Sequence, residues 1–164
     1  SFDQGGNNEL FCGDVQQNSY EEVALVAAGE NHGWRKMEAT HCFDFENPNM
    51  HPDQCDNADM VAPIIEYKNC TAIPEGCEGI SVTGGYVYRG SAIPAIEGLY
   101  FYADYCDGIL QSLRYTGDGS VTDLMSYADT FGKIGSVTSF GLDGQGELYL
   151  IVKEGRIFKF VPRQ

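Results

Sequence analysis

The sequence predicts an all-β fold built from repeated antiparallel units, the pattern of β-propeller blades. Three observations predict it. Helical periodicity is nearly absent from the 164 residues. Short aromatic and β-branched runs alternate instead with clusters of Gly, Asn and Asp. The chain also echoes itself. Ser1-Phe2-Asp3 leads through a Gly turn to Glu9-Leu10-Phe11, and Ser139-Phe140-Gly141 leads through another to Glu147-Leu148-Tyr149. A fainter copy runs from Glu97 to Phe101.

In chain order, the runs that read as strands are Glu9–Asp14, Glu22–Ala27, Gly85–Arg89, Gly98–Ala103, Ile109–Tyr115, Val137–Leu142, Glu147–Val152 and Arg156–Val161. Each has the aromatic or branched side chains that a pleated, half-buried surface selects. The turns between them carry suitable residues: Asp3-Gln4-Gly5-Gly6, Gly117-Asp118-Gly119 and Asp143-Gly144-Gln145-Gly146. One stretch, residues 38–60, breaks the rhythm. It is polar, contains Pro48 and Pro52, and reads as a cysteine-bearing loop insertion between strands. Loops of that length are usually functional or cross-linked.

Six cysteines, an even number at irregular spacing, point to disulfides in an oxidising compartment. A Cys42–Cys55 bridge closes the insertion, and Cys70–Cys77 closes a smaller loop. Cys12 and Cys106 are left to pair with each other, each at the end of an aromatic strand. His41, Cys42, His51 and Cys55 also offer two imidazoles and two thiols within 15 residues, types that suit zinc. In a secreted chain the disulfide takes precedence. Asn69-Cys70-Thr71 is an N-x-T sequon and predicts a glycosylated surface asparagine. Asp14, Asp104 and Asp107 read as solvated carboxylates at strand ends. Trp34 reads as core packing, since alternation buries half of the strand aromatics.

The charge balance excludes some functions. Ten Lys and Arg stand against 24 Asp and Glu, a formal net charge of −14, too few cations to assemble a phosphate-binding face. No apolar run approaches the roughly 18 residues of a membrane span.

Several motifs then converge on a family. Gly13-Asp14-Val15-Gln16-Gln17, Tyr20-Glu21-Glu22-Val23 and Gly29-Glu30-Asn31-His32-Gly33-Trp34 occur in order. They are followed by Ser81-Val82-Thr83-Gly84-Gly85-Tyr86-Val87-Tyr88-Arg89-Gly90 and Gly98–Tyr105. Together they resemble the signatures of the glucose/sorbosone dehydrogenase family. The cysteine loop and the closing Ile157-Phe158-Lys159-Phe160 look most like its animal branch, the hedgehog-interacting-protein-like members. The resemblance implies a six-bladed β-propeller, of which residues 1–164 form the C-terminal part, about three four-stranded blades. It implies that the N-terminal half, a second chain or a second copy completes the ring.

The bacterial members resembled here oxidise aldose sugars with pyrroloquinoline quinone and calcium. Their general base is a His in an early blade, and none of His32, His41 and His51 matches it. The family's quinone-binding Lys falls at about Cys106, and its Arg-x-Arg pair at Lys133-Ile134-Gly135. Lys133 is the one cation left for cofactor binding, so the quinone is not expected. A calcium site fares better. The resemblance gives it the Glu22 carboxylate and the backbone carbonyl of residue 32, where His32 replaces a Tyr without removing that oxygen.

The expected function is a secreted, non-catalytic propeller module that binds an extracellular protein or glycan. The alternative is part of a quinone-dependent aldose sugar dehydrogenase whose base lies on the missing half or a partner chain. A reused fold in an acidic matrix or defence protein is the third option.

Overall fold

A computed structural model describes residues 1–163. The described residues form twelve strands: β1 (Phe11–Asp14), β2 (Tyr20–Leu25), β3 (Met37–Glu38), β4 (His41–Cys42), β5 (Ile65–Lys68), β6 (Val82–Val87), β7 (Tyr100–Asp104), β8 (Leu110–Tyr115), β9 (Val121–Ser126), β10 (Val137–Leu142), β11 (Leu148–Val152) and β12 (Arg156–Lys159). A single helical turn, α1 (Ala128–Phe131), and a 3-10 turn at Pro94–Ile96 complete it. No helix among the described residues is long and apolar enough to cross a membrane.

Three antiparallel sheets stand side by side as propeller blades. The first has the order β1-β2-β5 and gains a fourth, innermost segment where Phe2 bridges Leu10. The second is four-stranded, β6-β7-β8-β9. The third has three strands, β10-β11-β12, so the expectation of four holds fully only for the middle blade. The echoed segments pair antiparallel at both ends of the chain but in different register: Phe2 bridges Leu10, whereas Phe140 pairs with Leu150 and Leu148 with Leu142.

Packing follows from alternation. β6 packs against both β1 and β10, so the second blade is sandwiched between the other two. Along β7, Tyr100 and Tyr102 enter the core shared with the first blade, beside Phe11, Val23 and Leu113. Phe101 and Ala103, on the opposite face, enter the core shared with the third blade, beside Phe140, Leu148 and Leu150. A strand buried on both faces is the mark of a central blade. By contrast every residue of β12 is exposed, as befits an edge. Where the first two blades meet, Gly13 and Gly84 allow backbone to touch backbone. A Cβ on Gly13 falls 2.9 Å from the Gly84 nitrogen, so no larger residue fits.

Buried carboxylates fasten the loops. Asp104 is fully buried and not solvated as expected. It accepts bonds from the Ile80 and Ser81 amides at 2.6 and 2.7 Å, the Cys106 and Asp107 amides at 2.8 Å each, and the Tyr67 hydroxyl at 3.2 Å. Glu147 holds the Ser91 and Ala92 amides and the Tyr88 hydroxyl in the same way. These acids sit where a strand must hand its last amides to a loop, and an unpaired buried amide is costly.

The insertion folds back as the β3–β4 hairpin, and Cys42 is joined to Cys55 within it. That bond consumes both thiols of the alternative zinc set. Cys70 is joined to Cys77. Two expectations need correction here. Cys12 and Cys106 are free and exposed, so the third bridge does not form. Asn69 is not the surface residue expected of a glycosylated sequon. Its side chain is buried, and its amide nitrogen donates to Glu21 Oε1 at 2.9 Å and to the Ile80 carbonyl at 2.7 Å.

Candidate functional site: a row of carboxylates on the first blade

The registers of the first blade place three acids in a line. Glu22 of β2 lies opposite Asp14 of β1 on one side and opposite Glu66 of β5 on the other. Directly opposed residues share a face, so the three side chains point the same way. Histidines stand at both ends. His41 Nε2 is 3.0 Å from Glu66 Oε1, and His32 lies close enough to Asp14 to favour its ionised form.

Glu22 is the centre of this row and its most constrained member. It is 1% exposed, and its Oε2 atom is buried without a hydrogen-bond partner. Burial first, and then the charges of Asp14 and Glu66, push its carboxyl up to about 7, against the pull of a hydrogen bond with Gln16. Asp14 is raised as well, chiefly by burial of its carboxyl group. Both ring nitrogens of His32 are also buried without a partner, the nearer carboxylate oxygen being Glu30 Oε2 at 3.6 Å. Neighbouring carboxylates with an orphaned oxygen are a donor set short of a cation, and calcium accepts such irregular oxygen shells. The residues therefore fit the ion. Glu22 would hold it through the carboxylate and His32 through its main-chain oxygen. No three His, Cys, Asp or Glu side chains among the described residues converge into a ligand group, so backbone oxygens and water would complete the shell.

The loop insertion is docked on the same blade. The buried Glu38 accepts the Asn18 and Ser19 amides through Oε1. The Thr40 amide and hydroxyl both donate to Glu66 Oε2. The Tyr20 ring stacks on His41 with centroids 3.7 Å apart. Trp34 corrects another expectation. It is 52% exposed and leans on the buried Phe43 rather than lying in the core.

The quinone cradle implied by the resemblance is not assembled. Cys106 presents a free thiol where a cation is needed. The Lys133 ammonium is bound to Asp107 Oδ1 at 2.7 Å. Arg156 reaches the same region, but its Nη2 donates to the Ile134 carbonyl. A tricarboxylate needs several fixed, uncommitted cations with forked donors, and these residues do not fit it.

Comparison with known proteins sets this architecture in context. Over 94% of its length the chain is 31% identical to the HIPL1 protein of Arabidopsis thaliana, and 27% identical over the same share to the HIPL2 protein of that plant. The chain is similar to the HIPL proteins and has the propeller fold of the sugar dehydrogenases. Solved structures carry the fold. The apo form of the soluble aldose sugar dehydrogenase from Escherichia coli superposes with a TM-score of 0.65 at 18% identity, over 95% of the chain. The PQQ-bound aldose sugar dehydrogenase from Streptomyces coelicolor gives 0.63 at 14% identity, over 94%. No family model matches. The chain spans 25% of each of these curated relatives and 42% and 40% of those two enzymes.

Sequence reasoning singled out Glu22 and His32 but did not see Glu66 or the row itself. The signal was there: Ile65-Glu66-Tyr67-Lys68 alternates apolar and polar residues, as a strand should.

Proposed function

We propose that the HIPL-like chain is part of a secreted, non-catalytic propeller that binds an extracellular ligand, with a calcium ion fastening its first blade. The observation that carries the non-catalytic reading is the Lys133–Asp107 pair, because it neutralises the one cation left at the expected cofactor position. The two disulfides support an oxidising, extracellular address. The orphaned oxygen of Glu22 supports the calcium.

Exposed apolar side chains at both ends of the three-blade stack, Phe2 on one side and Phe131, Ile157 and Val161 on the other, support the view that further blades of a longer polypeptide cover these faces.

The test has two arms. The chain is incubated with pyrroloquinoline quinone and calcium, then passed through a desalting column. Quinone absorbance is expected to stay with the small molecules, and co-elution with the protein in stoichiometric amount sinks the non-catalytic reading. In parallel, thermal unfolding is followed in chelator and in calcium. Calcium is expected to raise Tm for the natural chain and to leave Glu22→Gln unmoved. An unmoved natural chain removes the calcium.

A further inference from the structure

We propose that the hollow beside Trp34 is the docking site for an arginine side chain of a protein partner. The proposal rests on the reading of the chain as a binding unit and names the chemistry of what it binds.

The platform is the indole. Trp34 is 52% exposed, and its ring lies 5.5 Å from that of the buried Phe43, tilted by 31°. Phe43 in turn follows Cys42, which the Cys55 bridge ties down. A platform fixed before the partner arrives loses little entropy on binding. Val15 and Phe45 are exposed as well. Val15 lines the hollow, and the Phe45 ring packs on Arg35, the residue that follows Trp34. Exposed apolar side chains gathered in one place mark a contact surface.

Charge selects the occupant. The hollow measures about 230 Å³ and is lined by Asp14, Val15, Gln16, Gln17 and Trp34. That is below the roughly 300–1,000 Å³ that drug-sized ligands occupy, and it suits one long side chain. Asp14 enters none of the ion pairs among the described residues. The two cations nearest in sequence are already engaged. The Arg35 guanidinium sits 4.6 Å from the Phe45 ring centroid, and Lys36 pairs with Asp56 at 3.2 Å. They are the only Lys or Arg between Glu30 and Asp59, a stretch with seven acids, in a chain of net charge −14. Such a surface draws a cationic partner and repels an anionic one.

A guanidinium uses every part of this lining. Its plane stacks on an aromatic face while its forked N–H groups reach a carboxylate. Asp14 supplies the carboxylate, and Gln16 and Gln17 supply carboxamide oxygens as further acceptors. The Arg35–Phe45 contact is the same pairing made within the chain.

Trp34 is the only tryptophan, so its fluorescence reports on this site alone. A capped synthetic peptide of alternating arginine and leucine is titrated into the chain while Trp34 emission and the heat of binding are recorded. Chelator is present throughout, so that no calcium neutralises the acids. The control peptide carries citrulline for arginine, which keeps the shape and loses the charge. The arginine peptide is expected to give a saturable change in emission with matching heat. The citrulline peptide is expected to bind at least tenfold more weakly, the scale of losing a cation over an indole beside a carboxylate. Gln17→Glu tightens binding several-fold and Gln17→Lys weakens it at least tenfold. Asp129→Asn, far from the hollow in sequence and on another blade, leaves it unchanged, which separates docking from the general pull of an acidic chain. Circular dichroism confirms that each variant is folded. No saturable response, equal binding of the two peptides, or a Gln17→Lys chain that binds as tightly as the natural one overturns the proposal. Loss of the peptide response while the quinone is still excluded removes this site alone. Retained quinone removes the non-catalytic reading, and the peptide titration still decides the site by itself.

Discussion

Glu22 and Asp14 stand directly opposite each other across β1 and β2, and the strand on the far side of Glu22 adds Glu66 to the same face. Like charges directly opposed in a sheet are destabilising. Here the middle carboxylate is also withdrawn from water, which raises the cost of its charge further. The fold tolerates the arrangement in two ways. A proton can neutralise Glu22, or the calcium ion proposed above can bind beside it. The two compete, which links pH and calcium in the behaviour of the blade.

That linkage has a definite sign. Glu21 and Glu22 are both pushed up to about 7 from the usual 4.5, mainly by burial. Between those values the folded chain holds protons that the unfolded chain has released, so stability falls as pH rises through the window. In chelator, Tm is expected to drop steadily from pH 5 to pH 7.5. Glu22→Gln, neutral throughout, flattens part of that drop, and calcium offsets it in the natural chain. A chelated chain whose Tm rises across the same interval contradicts this assignment.

Asn69 gives a prediction of a different kind. Its amide bridges Glu21 of the first blade and the Ile80 carbonyl, and a glycan on that nitrogen would displace one of these buried bonds. The chain expressed through a eukaryotic secretory route is therefore expected to have its unmodified mass at the peptide containing Asn69. Asn69→Ala is expected to cost about 2 kcal/mol, because it leaves a buried Glu21 oxygen without its donor. Intact-mass analysis and urea unfolding read the two halves separately.

Much of the fold was legible because it is written in short-range patterns. The eight runs read as strands all fall on observed strands, with ends shifted by up to three residues. β3, β4, β5 and β9 were missed, the first two because residues 38–60 read as a loop. β9 is an exposed outer strand, so Val121-Thr122-Asp123 carries little apolar signal. The site was less legible, because it depends on register. Nothing local in Tyr20-Glu21-Glu22 says that Asp14 and Glu66 lie on either side of it. Trp34 misled for a related reason: an aromatic in a glycine-rich motif suggests core, and only the docking of the disulfide loop shows that Phe43 takes the buried place.

The cysteines divide sharply in reactivity. Cys12 and Cys106 are exposed thiols, whereas the other four are bonded in pairs within short loops. Alkylation of the native, unreduced chain is expected to label two sites, Cys12 and Cys106. Partial desolvation and neighbouring acids raise both thiols above their ordinary range, so labelling is slow at neutral pH and speeds up in alkaline solution. A single peptide holding Cys12 bonded to Cys106 contradicts the arrangement.

Arg89 and Asp3 make the clearest long-range clamp. Nε donates to Oδ1 at 2.9 Å and Nη2 to Oδ2 at 2.6 Å, a forked pair that ties the first turn of the chain to the end of the second blade's inner strand. Asp3 is buried, so its charge depends on that fork. Arg89→Lys keeps the charge but loses the second donor, and is expected to cost about 1–2 kcal/mol. Arg89→Ala leaves the Asp3 carboxylate buried and unpaired, and is expected to cost about 3 kcal/mol. Adding Asp3→Asn to Arg89→Ala recovers part of that loss, since no uncompensated charge remains. Urea midpoints for the singles and the double, read at unchanged slope, give the coupling directly. Strictly additive losses would mean that the fork adds nothing beyond its separate halves.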